Sequence, residues 1–436
     1  MKYFKKNRTN IVITKIAETF VLFLRIVFRI FHFVLFKRGR PAIVLVDGLN
    51  IGDAVLLRPL IISIIERYEK THDIIVISGS FSKYIYEDIL SRINILELQF
   101  IWSHLFRSPR HMLTVCKTWL RLFAVNVEIA IETRGDFRSI AWMALACPSA
   151  RLIGFDFTGG ERLLTDVVPD DGQITHLFTH IQRLGKTIGV DVSKENIAIR
   201  SVPLLNEKPR IGISFAGHQE MKNIPHDTGI RLLKELIQIK GDADLWYIGA
   251  PQGDPLPNNV IENEFGNAIK IFKGNFYEYF IFLQTLNCYV GMDSGGGHLC
   301  SMFAIPSVII FGMYDPSFCS PLGTHQLLCI EGSGKLDCKP CGGDVCINPI
   351  YKECLRNIDT VAILDFVKTT LIPFPNQVLT SLASSLTPHH TKQYAPACAY
   401  PHADRCVVPS SPPCYPPDLE TELSADLKHF FMTFLA

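Results

Sequence analysis

Two short segments combine acidic, hydroxyl and glycine residues with spacing that could do chemistry. In the first of them, Asp293 and Ser294 follow the apolar run 288–292, and three glycines open the helix predicted after it. Because glycine has no side chain, the backbone N–H groups at the start of such a helix can come close to an anion. The helix dipole is positive at that end and attracts the negative charge. The segment therefore predicts a phosphate site with these candidate substrate-binding residues: Asp293, Ser294, Gly295, Gly296 and His298. The same turn could instead serve only as a helix cap with close packing and a core histidine.

The second segment opens the first globular region. Residues 42–47 have the pattern of a buried parallel strand, and Gly52 and Asp53 follow where the chain turns into a helix. Ligands of open α/β sheets bind at the carboxyl ends of strands. Gly52 and Asp53 are therefore candidate site residues, although an isolated Asp at a helix start is also an ordinary N-cap.

Taken in order, these segments resemble glycosyltransferase family 9, the family of the lipopolysaccharide heptosyltransferases. Gly52-Asp53 is similar to the family's N-terminal signature, and Asp293-Ser294-Gly295 with His298 is similar to its C-terminal one. The matching segments, in family order, are 52–60, 132–139, 151–155, 293–299 and 311–321. Each segment alone is generic, so the specificity lies in the ordered series over roughly residues 40 to 370.

Strands alternate with helices along most of the 436 residues, and 48% hydrophobic content supplies ample core. This pattern predicts an α/β fold with two doubly wound, Rossmann-like domains. The run 201–209 interrupts the alternation and marks the expected boundary, which places one domain at 41–203 and the other at 204–372. The resemblance implies the same GT-B fold, with the acceptor on the first domain and the nucleotide-sugar on the second.

The resemblance also implies an inverting, metal-independent sugar transfer that requires no cofactor. Asp53 corresponds to the family's catalytic aspartate, and Lys222 to a lysine that contacts phosphate and sugar. Gly217 and His218, in the loop before Lys222, are predicted to contact substrate, and the implied donor is ADP-heptose. The chain departs from the family pattern at Ile224, where an aromatic residue is common, so another nucleotide-sugar stays open.

Two other classes of function compete with this interpretation. A dinucleotide enzyme would need G-x-G-x-x-G after the first strand, which residues 48–53 do not supply. A non-catalytic, membrane-associated module that binds nucleotide-sugar or glycan is the alternative, and the presence of Asp53, Lys222 and Asp293 favours the enzyme over it. A net charge of +1 argues against a nucleic-acid partner.

The N-terminal segment 1–40 is basic and amphipathic. Its polar residues within 11–36 fall inside about 100° of a helical wheel: Lys15, Glu18, Arg25, Arg29 and His32. This indicates an interfacial helix that holds the protein on the cytoplasmic face of the inner membrane, near a lipid-linked glycan acceptor, with phenylalanines in the acyl boundary: Phe20, Phe23, Phe28 and Phe31. A spanning helix ranks second because Arg25 would be buried in lipid. A helix packed on the protein itself ranks last.

Four of the 13 cysteines form a cluster with short spacing: Cys338, Cys341, Cys346 and Cys354. The spacing suits a structural zinc site, two disulfides or free thiols on a loop. Cysteines within predicted strands and helices, such as Cys147 and Cys288, indicate a reducing cytosol. The proline-rich segment 373–436 is predicted to be a disordered tail.

Overall fold

The protein is built on two parallel sheets of six strands each. The structure is a computed structural model that describes residues 8–35, 39–47, 50–98, 109–170, 172, 175–199, 206–217, 219–251, 253–323, 325–332, 336–341 and 345–371. The strands of the first sheet are β1 (Ala42–Val46), β2 (Asp73–Ser78), β3 (Asn94–Glu97), β4 (Val127–Glu132), β5 (Arg151–Gly154) and β6 (Asp166–Val167). Their order across the sheet is β3-β2-β1-β4-β5-β6.

The second sheet repeats this plan. Its strands are β7 (Arg210–Ser214), β8 (Asp244–Ile248), β9 (Lys270–Phe272), β10 (Cys288–Met292), β11 (Ser307–Phe311) and β12 (Leu327–Glu331). Their order is β12-β11-β10-β7-β8-β9. Every residue of β1, β10 and β11 is buried, as expected for parallel strands covered on both faces. The predicted fold class of two Rossmann-like sheets is confirmed.

Helices precede, connect and follow the strands. Along the first sheet they are α1 (Arg8–Leu35), α2 (Ile51–Tyr68), α3 (Ser82–Ile85), α4 (Pro109–Phe123), α5 (Phe137–Ala146) and α6 (Leu177–Thr187). Along the second they are α7 (His226–Ile239), α8 (Asn258–Phe265), α9 (Phe276–Leu283), α10 (Gly295–Met302), α11 (Pro316–Cys319), α12 (Glu353–Arg356) and α13 (Thr360–Leu371). The predicted domain boundary at 203/204 and the predicted tail at 373–436 lie outside the described residues.

The strand order of each sheet reverses between two central neighbours. In the first sheet these are β1 and β4, and in the second they are β7 and β10. The loops that leave such a pair diverge to opposite sides, which opens a crevice at the carboxyl ends of the strands. Asp53 follows β1, Lys222 follows β7 and Asp293 follows β10. The topology therefore places all three candidates at switch points.

Helix α1 is attached to the rest of the protein by its polar side. Arg25 donates hydrogen bonds at 3.2, 2.8 and 2.5 Å to the carbonyl oxygens of Pro148, Ala150 and Leu163. Glu18 Oε1 accepts one from Gly160 N at 2.5 Å, and His32 Nε2 lies 3.3 Å from Val125 O. The low rank given to packing on the protein was wrong, because the turns beside α5 present backbone groups that need polar partners.

One aromatic residue of α1 also differs from expectation. Phe28 packs against Trp119 and Phe123 of α4, with ring centroids 5.7 and 5.9 Å apart, so it does not point away from the protein. Phe20 and Phe23 remain more than 60% exposed. Within the described part of the chain, none of the helices combines the length and apolar character that crossing a bilayer requires.

Candidate functional site

The loops at the switch points bring the candidate residues to one place. Lys222 Nζ lies 2.7 Å from Asp293 Oδ2 and forms an ion pair with it. Asp293 is only 6% exposed, so the pair lies largely out of solvent. Asp53, in the first turn of α2, is close enough to Lys222 and Arg134 for both positive charges to lower its pKa. Two aspartates and two cations therefore share one site between the sheets.

Asp53 has the environment of a proton acceptor. Asn50, the residue before α2, donates a hydrogen bond from Nδ2 to Asp53 Oδ2 at 2.8 Å. Burial raises the pKa of Asp53 above its ordinary value, and Arg134, the Asn50 bond and Lys222 oppose that shift. A carboxylate with a raised pKa at a cavity is suited to general-base work near neutral pH.

A cavity of about 300 Å³ opens beside Asp53. Its walls come from both sheets and are formed by Asn50, Asp53, Leu56, Leu57, Thr133, Arg134, Phe157, Leu177, His180, Ile181, Tyr314 and Phe318. The sequence pattern singled out Asp53 but none of the other polar and aromatic members. Arg134 and Tyr314 do fall within two of the segments that carry the resemblance, and that is the only signal that could have singled them out. His180, by contrast, is an ordinary helical histidine in the sequence.

The loop that carries Lys222 is tightly held. An added Cβ at Gly217 would lie 2.5 Å from Lys222 Cβ, so glycine permits the loop to close on the lysine. Gly217 N donates to Asn223 Oδ1 at 2.8 Å, and Lys352 Nζ donates to Asn223 O at 3.2 Å. Lys222 Nζ also lies 4.6 Å from the centroid of the Tyr314 ring, a cation–π geometry. The predicted substrate contact at His218 lies outside the described residues.

The glycines of both signature segments bring helices α2 and α10 together. An added Cβ at Gly52 would lie 2.7 Å from the His298 ring, and one at Gly295 would lie 2.8 Å from Ile51 Cβ. Gly296 faces the hydroxyl groups of Tyr289 and Tyr279. Close packing therefore explains why these positions are glycine. Substrate contact by Gly52, Gly295, Gly296 and Ser294, the residue that precedes α10, stays a prediction.

His298 lies beneath this contact as a neutral imidazole. It is 6% exposed, and burial lowers its pKa to about 3, assisted by His176 and Lys222. The ring fills the space that Gly52 leaves open. His298 therefore supports the packing between the two helices, and its predicted contact with substrate stays a prediction.

The fold is similar to that of several solved glycosyltransferase structures. Escherichia coli heptosyltransferase WaaC with ADP matches with a TM-score of 0.57 and 13% identity, covering 76% of this chain and 99% of that one. The chain has the fold of the heptosyltransferases. E. coli ADP-heptose lipopolysaccharide heptosyltransferase II matches with a TM-score of 0.56 and 17% identity, over 76% and 98% of the two chains. A family 9 glycosyl transferase from Veillonella parvula gives 0.60 and 15%, over 77% and 98%.

These likenesses concern three-dimensional structure and confirm the GT-B fold that the sequence resemblance implied. No protein-family model matches the sequence, and no curated protein matches it significantly. At 13–17% identity the heptosyltransferase fold is shared while most side chains differ. The likeness therefore shows the fold and assigns no role to an individual residue.

On this fold, the loop after β4 depends on a buried carboxylate. Glu132, 1% exposed, accepts hydrogen bonds from Ser139 Oγ at 2.7 Å, Gly135 N at 2.5 Å and Arg134 N at 3.1 Å. Burial raises the pKa of Glu132 from 4.5 to about 7, although these hydrogen bonds oppose the shift. Glu132 therefore fixes the backbone that presents Arg134 to the cavity.

Glu132 should make the protein less stable as pH rises from about 4.5 to 7. Its folded pKa lies above its unfolded one, so the stabilisation is complete below about pH 4.5. It is lost progressively as pH rises to about 7, because the unfolded state releases its proton over this window while the folded state still holds it. The free energy of unfolding should fall by roughly 2–3 kcal/mol between pH 5 and 8, and Glu132→Gln should remove this part of the change. Urea unfolding of both proteins at the two pH values measures it. Glu97→Gln, a change at an exposed position of β3 in the same sheet, is the control, and an equal effect of both variants would contradict the assignment.

The structure shows the cysteine-rich loop with free thiols, the third of the alternatives that its spacing left open. Its four cysteines are free thiols, and no group of three or more His, Cys, Asp or Glu among the described residues is arranged to hold a metal ion. Cys338 Sγ accepts a hydrogen bond from Asn348 Nδ2 at 3.6 Å, and Cys346 Sγ accepts one from Lys352 N at 3.3 Å. Cys338, Cys341, Cys346 and Cys354 are thus free thiols in this structure, and zinc binding by them stays a prediction.

Proposed function

We propose that the chain is an inverting glycosyltransferase that moves a sugar from a nucleotide-sugar to a lipid-linked glycan acceptor. One observation carries the proposal: Asp53 lies at a cavity between the two sheets, next to the ion pair that Lys222 forms with the buried Asp293. This arrangement supplies a base on the first sheet and a positive charge on the second. The acceptor then binds on the side of residues 41–203 and the donor on the side of 204–372.

The reaction needs one proton acceptor and one site for a departing diphosphate. Asp53 takes the proton of the acceptor hydroxyl as its oxygen attacks the anomeric carbon from the face opposite the nucleotide. The bond between that carbon and the diphosphate oxygen breaks, and the diphosphate leaves with both electrons. Lys222 and the N-terminal N–H groups of α10 (Gly295–Met302) stabilise its negative charge. Attack from the opposite face inverts the anomeric configuration.

ADP-heptose is the donor that we propose. Solved structures of WaaC, whose fold this chain shares, contain ADP in one case and ADP-2-deoxy-2-fluoro heptose in another. The acceptor that we propose is a lipopolysaccharide-type glycan on the cytoplasmic face of the inner membrane. The basic, amphipathic segment 1–40 supports that location, because it would place the cavity near a membrane-bound acceptor.

Transfer should persist in the presence of a metal chelator. Lys222 and the dipole of α10 supply the positive charge that a divalent cation would otherwise bring to the diphosphate. Rates with ADP-heptose and a lipid-linked acceptor should change less than about twofold on adding EDTA. One nucleoside diphosphate should form for each sugar transferred. Strict dependence on added magnesium would contradict the metal-free mechanism, and ADP binding without any turnover would favour the non-catalytic module.

A further inference from the structure

Helix α1 presents an apolar surface that faces away from the protein. Eight of its large hydrophobic residues are 47–71% exposed: Ile16, Phe20, Phe23, Ile26, Ile30, Phe31, Phe33 and Val34. We name these eight residues the outer face of α1. Contiguous apolar surfaces of this kind on folded proteins mark sites of interaction with another protein or a membrane. We therefore expect another protein or a membrane to cover the outer face.

The helix cannot hide its outer face by turning over. Glu18 and His32 are buried against the protein, and Arg25 donates three hydrogen bonds to backbone carbonyls there. Rotation would leave those carbonyls without their donor and would bring apolar side chains against them, and a buried polar group without a partner is unfavourable. The hydrogen bonds made by the polar side of α1 therefore keep the outer face directed away from the protein.

The charge around α1 distinguishes between two occupants. Residues 1–40 contain ten Lys and Arg and a single acidic residue, Glu18, while the whole chain has a net charge of only +1. Glu18 is buried and bonded to Gly160 N, so the accessible charge of the segment is positive; Lys15 and Arg29 are exposed on the helix itself. A second copy of the chain would bring the same positive charge against this one. An anionic lipid surface would attract it.

We propose that the outer face of α1 inserts into the acyl boundary of an anionic lipid bilayer while the polar side of the same helix stays bonded to the protein. This deepens the proposed function by naming the surface to which the enzyme is held, although the membrane contact itself does not depend on any catalytic step. The hydrogen bonds of its polar side hold the helix to the fold, and the helix then lies parallel to the bilayer surface. Its orientation then decides which side of the protein approaches the lipid.

Flotation of the full chain with vesicles tests this proposal. The protein should float with phosphatidylcholine vesicles that contain 30% phosphatidylglycerol, on the order of tenfold more than with phosphatidylcholine alone, and salt should weaken but not abolish binding. The triple variant Phe20→Asp, Phe23→Asp, Ile30→Asp should lose at least about tenfold of the bound fraction, because charged side chains oppose insertion. Val361→Asp, at an exposed apolar position of α13, is the matched control and should float like the wild type.

Further measurements keep this result separate from the proposed catalysis. Calorimetry should give the triple variant the ADP affinity of the wild type, which shows that the variant is folded. If the wild type floats with the vesicles but does not bind ADP, the proposed function is contradicted while the membrane contact is still supported. Equal flotation of triple variant and wild type would overturn the proposal. A second outcome would also overturn the proposal: the wild type does not bind anionic vesicles but sediments as a dimer, and the triple variant sediments as a monomer. The occupant of the outer face would then be a second copy of the chain.

Discussion

We expect Asp53→Asn to lower kcat by about 10²–10⁴-fold, the usual contribution of a general base, while ADP binds with nearly unchanged affinity. The amide keeps the shape of the side chain and can still accept the hydrogen bond from Asn50 Nδ2, but it cannot take up the proton of the acceptor hydroxyl. Initial rates at saturating donor and acceptor measure the first effect. Calorimetry with ADP measures the second.

The control for this variant is Asp242→Asn, which changes an exposed aspartate and should leave the rate unchanged. The pH dependence of the rate is a second, independent test of Asp53 as the general base. Activity should fall as pH drops through the pKa of Asp53, and because Arg134 lowers that pKa, Arg134→Met should move this acidic limb to higher pH. Two results would show that Asp53 is not the base: a wild-type rate for Asp53→Asn, or an acidic limb of the pH profile that does not move when Arg134 is replaced.

The sequence predicted the framework of this site well, for a physical reason. Parallel strands buried on both faces are continuous apolar runs, so the predicted strands 42–47 and 288–292 agree with β1 and β10 to within a residue. The residues that follow such strands at a switch point meet in one crevice. The order of residues along the chain was therefore enough to place Asp53 and Asp293 in the crevice.

The sequence could not show what each glycine and each helix face contacts. The neighbour of Gly52 is His298 and that of Gly295 is Ile51, partners about 240 residues apart that only the folded chain brings together. Periodicity likewise identified the polar and apolar sides of α1 but not which side meets the protein. That choice depends on carbonyl groups of distant turns, such as Leu163 O. The cavity residues Arg134 and Tyr314 were missed for the same reason.

Lys222→Met should weaken ADP binding by ~1.5–3 kcal/mol, the contribution of a charge-assisted hydrogen bond, or roughly 10- to 150-fold in Kd. The structure adds a second source of loss. Lys222 Nζ is paired with Asp293, so its removal leaves a buried carboxylate that would repel the diphosphate and lower stability. Calorimetry with ADP measures the affinity, and Lys234→Met, an exposed lysine of α7, is the control.

The two sources of loss can be separated with the double variant Lys222→Met, Asp293→Asn. Replacing Asp293 removes the unpaired charge, so the double variant should regain most of the stability that Lys222→Met loses, which thermal unfolding measures. If Lys222 contacts the diphosphate, ADP affinity should recover only in part, because the positive charge is still missing. Full recovery of ADP binding would mean that Lys222 serves only to neutralise Asp293. The diphosphate would then have to be held by the backbone N–H groups at the start of α10 alone.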